Sequence, residues 1–267
     1  MQWLGFTIAA LLKTEHFYDL FGTGTFIMVA LLSRQHGQTT TRPTLRCDVV
    51  TGLVCIWGLR LCTFLVHRIH KAGRDKRFDK VRENPIMFYV YWTLQGVWVT
   101  ITTMPISVLS LRPENWDAAS LLPNDKLGIA IFAVGFLCET VADFQKSVFR
   151  GDAENADEFI RTGLWKHCRH PNYFGEILVW VGITIVCQTP LTMQQRIMVV
   201  PSPIFVAFLL SQMSGVPILE RAAWKKWGSR EDYRKYVSTS RVLLLLPWAP
   251  KPRRVPVPTA KADAKED

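Results

Sequence analysis

The chain has 267 residues, 49% of them hydrophobic, and carries 32 Lys and Arg against 22 Asp and Glu, a formal net charge of +10. A positive mean hydropathy argues against a disordered chain, and the length excludes a small disulfide scaffold. The six cysteines form no CxxC pair and no paired spacing, so no zinc site, no other metal and no disulfide framework is expected. Cys55 and Cys62 stand seven apart on one helix face, as buried packing residues do.

The apolar residues come in long runs, read here in chain order. Residues 1–12 are uncharged and apolar but too short to span a bilayer alone, and without a basic start they do not read as a cleaved signal. Residues 17–33 are apolar apart from Asp19, and 44–66 carry only Arg46, Asp48 and Arg60 as charges. Residues 86–111 carry no charge at all, and 127–142 only Glu139. Residues 172–190 carry only Glu176, and 197–219 none. A hydrocarbon core of about 30 Å needs about 20 helical residues. The reading is an all-α, multi-pass transmembrane bundle of six spans, or seven with the first segment, with 86–111 the strongest. Internal Gly96, Pro105, Pro201, Pro203 and Pro217 are compatible with membrane helices. The bundle takes residues 1–248 as one domain. The Pro- and Lys-rich tail 249–267 reads as disordered.

The charges alternate between the connections. Residues 67–85 hold seven Lys and Arg, 112–126 hold two, 143–171 hold five, 190–196 only Arg196, and the chain after 220 holds twelve. By the positive-inside rule the basic segments face the cytosol, although Arg34, Arg42 and Arg46 depart mildly from the alternation. The +10 therefore reads as topology, with no nucleic acid as partner.

Three clusters of polar residues lie on that basic side. In CETVADFQKSVFR, Glu139 and Asp143 share a helix face, as do Lys146 and Arg150. The cations are either aimed at phosphate or snorkel from a helix leaving the membrane. In RTGLWKHCRHPNYFGEILVW, residues 161–180, Gly163 permits a turn and Pro171 suits the first turn of a helix. Arg169 and His170 then sit where a helix N-terminus favours an anion. Asn172, Tyr173 and Glu176 follow in the first turns. Glu176 also suits the helix dipole, and Arg169 also suits a lipid headgroup. In LERAAWKKWGSREDYRKYVSTSR, Glu220 and Arg221 end an apolar helix and Tyr233, Tyr236 and Arg241 follow in a basic stretch. That stretch also reads as an amphipathic interfacial helix.

RTGLWKHCRHPNYFGE followed by LERAAWKKWGSREDYRKY resembles the steroid 5-alpha-reductase C-terminal family, in particular its multi-pass, 3-oxo-5-alpha-steroid 4-dehydrogenase-like branch. GRDKRFDKVRENPIMFYVYWTLQGVWV is similar to that branch as well. ADFQKSVFR is similar to the segment ahead of RHPNY in sterol reductases. The resemblance covers about residues 15–247. It implies an endoplasmic-reticulum-type membrane enzyme that uses NADPH to reduce a carbon–carbon double bond of a lipid or steroid-like substrate. By matching position it implies that Asp143, Lys146, Arg150, Arg169, Asn172, Tyr173, Glu176, Tyr233, Tyr236 and Arg241 bind NADPH. In the characterised steroid reductases a Glu and a Tyr from the N-terminal helices hold the substrate carbonyl. The Glu has no matching position here. Tyr89 and Tyr91 are the candidates for the Tyr, with Gln95 one turn beyond Tyr91, and Tyr91 is the expected catalytic donor. The competing reading is an S-adenosylmethionine-dependent membrane methyltransferase of the isoprenylcysteine or phospholipid type, which carries a similar R-H-P-x-Y-x-G motif. The Asn172/Glu176 pair, and Arg221 where a second acid would stand, favour the reductase.

Overall fold

The computed structural model describes residues 1–40, 45–72, 75, 78, 79, 81, 83–111 and 120–243. The tail 249–267 and most of 73–82 lie outside the described residues. Among the described residues the regular structure is helical, with no strand. The helices are α1 (Gln2–Leu11), α2 (Tyr18–Thr40), α3 (Leu45–Ala72), α4 (Pro85–Leu109), α5 (Pro123–Gly151), α6 (Pro171–Gln188), α7 (Met193–Val199), α8 (Pro201–Phe208), α9 (Val216–Trp227) and α10 (Glu231–Thr239).

Local chemistry sets several of these ends. Asn84 caps α4, its side chain accepting from the amides of Ile86 and Met87, and Pro85 supplies the fixed φ of a first helical residue. Thr192 and Gln195 form a reciprocal capping box at α7. A π-helical turn, Leu209–Met213, follows α8.

Three helical runs are long and apolar enough to cross a membrane: Leu45–His70, Pro123–Gly151 and Met193–Trp227. They contain the expected spans 44–66, 127–142 and 197–219, the last interrupted at Pro201, at the π turn and at Pro217. The expected spans 17–33, 86–111 and 172–190 fold as α2, α4 and α6. In α4 the Trp, Tyr, Thr and Gln side chains lower the hydropathy, and several are buried, including Trp92, Gln95, Thr102 and Thr103. In α6 the first turns carry Asn172, Tyr173 and Glu176.

The chain forms two compact units. The first comprises Met1–Phe136 and Ile177–Ala207. Within it α2 packs along α3 and α4, and α1 lies on α4. Phe26, Trp57, Trp98 and Trp180 form an aromatic cluster with ring centroids 4.9–5.3 Å apart, mostly edge to face. A second cluster gathers Ala9, Phe78, Phe88 and Trp92, with Tyr18 and Tyr91 against it. Buried polar residues pair: Gln2 donates to Gln95 Oε1 at 3.3 Å and Gln95 donates to the Tyr18 carbonyl at 2.9 Å. Gly128 and Gly182 let α5 and α6 touch backbone to backbone, since a Cβ at either would stand 2.6–2.7 Å from the other's carbonyl oxygen.

A buried ion pair ties three helices of this unit. The Arg46 guanidinium at the start of α3 donates through Nε, at 3.0 Å, and through Nη2 to the carboxylate of Asp125 in the first turn of α5. Thr189, just past α6, donates to the same carboxylate at 2.8 Å, as does the amide of Leu122. Both charged side chains are at most 1% exposed.

The second unit comprises Leu137–Glu176 and the chain from Phe208. It holds the C-terminal half of α5, the connection 152–170, the first turns of α6, the π turn, α9 and α10. Phe159, Tyr233 and Val237 form its core, flanked by Ala223, Trp224, Trp227 and Tyr236.

Candidate functional site

The second unit is organised around the connection between α5 and α6. Gly163 has φ +56°, a left-handed conformation that glycine adopts without strain, and a Cβ there would meet the Gln145 side chain. Gln145 Oε1 accepts from the amide of Leu164 at 3.0 Å, which fixes the 3-10 turn Gly163–Lys166 against α5. That turn buries Trp165, whose indole donates to the Ala142 carbonyl at 3.1 Å. Tyr236 donates its hydroxyl to the Trp165 carbonyl at 2.6 Å, bringing α10 onto the same turn.

Beyond the turn, residues 167–170 run beside the chain leaving α10. Arg241 N donates to the His167 carbonyl at 3.1 Å and Arg169 N to the Arg241 carbonyl at 2.8 Å, with a parallel bridge between Cys168 and Arg241. Arg169 then points its guanidinium into the unit. Nε donates to both oxygens of Glu220 on α9, at 3.0 and 3.2 Å. Nη1 donates to the carbonyls of Val237 and Ser240 at the end of α10, at 3.1 and 2.9 Å. The cation thus neutralises one acid and caps a helix C-terminus, where carbonyls gather negative potential. His170 Nε2 lies 2.8 Å from Glu220 Oε1, and the imidazole stacks on Tyr173.

A cavity of about 250 Å³ opens beside this node. Its lining includes the cations Lys146, Arg150, Arg169 and Lys226, the acids Glu158 and Glu220, His170, and the rings of Phe149, Phe159, Trp165, Trp227, Tyr233 and Tyr236. Lys146 Nζ stands 4.8 Å from the Trp165 ring centroid and Lys226 Nζ 5.0 Å from that of Trp227. The wall at 156–161 is fastened to α9 and the turn after it. Trp227 donates to the Asp157 carbonyl at 2.7 Å, and Arg230 bridges Glu158 and Asp232 at 2.9 and 2.8 Å. Burial pushes the Tyr233 phenol up to about 12 and the Tyr236 phenol further, so both stay protonated and act as hydrogen-bond donors at neutral pH. Burial likewise pushes the Cys168 thiol up to about 11, which keeps it from acting as a thiolate.

Of the ten residues that the resemblance assigns to a cofactor, Lys146, Arg150, Arg169, Tyr233 and Tyr236 line this cavity. Asp143, Asn172, Tyr173, Glu176 and Arg241 belong to the same unit but not to that lining. Asn172 donates to Asp143 Oδ1 at 3.1 Å, joining α6 to α5. Tyr173 packs where Gly215 leaves room, since a Cβ at Gly215 would stand 2.9 Å from its ring. Tyr91 lies on α4 in the first unit, half-buried, with its ring 5.6 Å from Phe78 and its carbonyl accepting from the Tyr18 hydroxyl. Sequence reasoning gave Glu220 no role and placed His170 only at a helix N-terminus beside Arg169, yet the two form the centre of the node. The available signal was an acid at the polar end of an apolar helix together with a histidine before Pro171.

His170 carries a pH dependence. Burial is the largest influence and holds its imidazole below the usual 6.5; Glu220 opposes this, while Lys146 and Arg169 reinforce it. The unfolded chain therefore takes up a proton near pH 6.5 that the folded chain takes up only at lower pH. The associated stability is present above that window and is lost as pH falls through it. Thermal unfolding from pH 7.5 down to pH 5 is expected to show a falling midpoint, with a shallower fall in His170→Gln. Parallel curves for the two proteins would contradict this assignment.

The family model described as Protein of unknown function (DUF1295) matches residues 5–240. No curated protein and no solved structure matches the chain. The matched span takes in most of both compact units and every candidate residue named above except Arg241, and the chain belongs to the DUF1295 family.

Proposed function

We propose that the protein is a multi-pass membrane oxidoreductase that reduces a carbon–carbon double bond of a lipid or steroid-like enone with NADPH. The observation that carries this reading is the character of the cavity in the second unit. Lys146, Arg150, Lys226 and Arg169 outweigh Glu158 and Glu220 there, and aromatic rings line the remainder. An excess of cations suits the phosphates of a dinucleotide, and the rings suit its flat bases. S-adenosylmethionine carries a sulfonium cation and no phosphate, so the same charge disfavours it. The cavity, at about 250 Å³, falls below the roughly 300–1,000 Å³ of pockets that enclose a whole ligand. It therefore suits one phosphate-bearing end of NADPH.

In this reading Lys146 and Arg150 hold phosphate, and Lys226, paired with Asp157, adds positive potential beside them. Arg169 acts mainly by keeping α9 and α10 in place around the cavity, since its hydrogen bonds run to Glu220 and to main-chain carbonyls. Tyr233 and Tyr236 offer neutral hydroxyls. NADPH, when bound, supplies the hydride. Tyr91 holds the substrate carbonyl oxygen by donating its hydroxyl hydrogen, which stabilises the negative charge that develops there. The basic connections face the cytosol, and an endoplasmic-reticulum-type membrane follows from the family resemblance.

Equilibrium binding to the purified full-length protein tests the cofactor. NADPH is expected to bind and to resist competition by S-adenosylmethionine; binding of S-adenosylmethionine that NADPH does not displace would overturn the reading in favour of a methyltransferase. Tyr91→Phe is expected to bind NADPH normally and to lower turnover of an enone about 100-fold, within the range of general acid catalysis. Full turnover in that variant would remove Tyr91 from the mechanism.

A further inference from the structure

α9 has two faces. Glu220, Ala223 and Trp227 turn inward, where they line the cavity. Positions 218, 221 and 225 fall on another stripe of the same helix, at spacings of three and four residues. Ile218 is 55% exposed there, and Arg221 and Lys225 are both exposed. The helical run that ends in α9, Met193–Trp227, is long and apolar enough to cross a bilayer, and its exposed side chains from Phe208 up to the two cations are the apolar Phe208, Met213 and Ile218 with the uncharged Gln212 and Ser214. Arg221 and Lys225 are thus the first exposed charges as that run passes from hydrocarbon to headgroups.

Their neighbours differ from them in one respect. Lys226 pairs with Asp157 at 3.2 Å, Arg230 with Glu158 and Asp232, and Arg161 with Asp232 at 3.2 Å. Among the described residues Arg221 and Lys225 make no ion pair and no side-chain hydrogen bond. They are one turn apart on one face, about 5–6 Å between Cβ atoms. That spacing allows a guanidinium and an ammonium to reach one phosphate.

We propose that Arg221 and Lys225 on the outer face of α9 seat the phosphate of an anionic phospholipid headgroup. Charge complementarity selects this occupant over a zwitterionic lipid, whose own choline competes for the phosphate. The apolar side chains that lead to the two cations select a lipid over a free anion, because the acyl chains lie along Phe208, Met213 and Ile218. The seat does not depend on the cofactor reading, although the same helix walls the cavity.

The test uses the detergent-solubilised full-length protein and measures its affinity for phosphatidylglycerol and for phosphatidylcholine. The wild type is expected to prefer phosphatidylglycerol. Each cation removed should weaken that affinity about fivefold, the worth of one Lys or Arg near an anionic surface. Arg221→Gln/Lys225→Gln should therefore lose about 25-fold. Lys126→Gln/Lys166→Gln, which lowers the net charge equally elsewhere, should lose nothing. The swap Arg221→Lys/Lys225→Arg should retain the preference, which separates a lost seat from a misfolded helix. Three results would overturn the proposal: equal loss in both charge-lowering variants, no preference between the two lipids in the wild type, or glycerol phosphate competing as well as the lipid.

Discussion

Asp125→Ala is expected to destabilise the first unit by about 3–5 kcal/mol, the usual cost of leaving one member of a buried ion pair without its partner. Arg46 is 1% exposed and donates to Asp125 through two nitrogens, so the variant leaves a buried guanidinium without this carboxylate. Thr189 and the amide of Leu122 lose an acceptor at the same time. The charge-free pair Arg46→Met/Asp125→Leu should recover most of the loss, because apolar replacements of similar volume commonly match a buried ion pair. Reversible unfolding in mixed micelles measures both variants. A cost below about 1 kcal/mol for Asp125→Ala, as at an exposed pair, would show that water reaches the site.

The second large effect concerns the cavity. Lys146→Ala/Arg150→Ala is expected to weaken NADPH binding roughly 100-fold, since hydrogen bonds to charged groups contribute about 1.5–3 kcal/mol each and Arg150 is exposed. The wild-type affinity should fall as salt is raised, and the variant should respond less. The Gly163–Lys166 turn should persist in the variant, although Lys146 gives up its contact with the Trp165 ring. The hydrogen bonds that fix the Gly163–Lys166 turn come from Gln145, Ala142 and Tyr236 rather than from either cation. Undiminished affinity in the double variant would refute the phosphate role of both residues.

The sequence was most legible where one turn of chain decides the outcome. Pro171 opens α6, as a proline in a first turn should. The uncharged stretch 86–111 is a helix over Pro85–Leu109. Its charge count said nothing about what the helix faces. Buried Gln95, Thr102 and Thr103 together with Trp92 mark a helix with much of its surface packed against protein, and the same side chains lower its hydropathy. Arg169 shows the other limit. From spacing it was a cation at a helix N-terminus, suited to phosphate or to a headgroup. Its partner is Glu220, 51 residues further on, and its other acceptors are main-chain carbonyls at the end of α10. No periodicity joins positions so far apart. Lys146 and Arg150 were readable as a pair because they are one turn apart, but the aromatic wall beside them includes Trp227 and Tyr233, on segments distant in sequence.

The pairing of Arg46 with Asp125 also has a consequence in time. The two residues are 79 positions apart, so the ribosome delivers the guanidinium well before the carboxylate exists. At roughly 5–20 residues per second that interval is on the order of 4–16 s. During synthesis Arg46 is without the Asp125 carboxylate until α5 arrives. The ion pair therefore closes late in biogenesis, and a chain stalled between α3 and α5 would present Arg46 without this carboxylate at the start of an apolar helix.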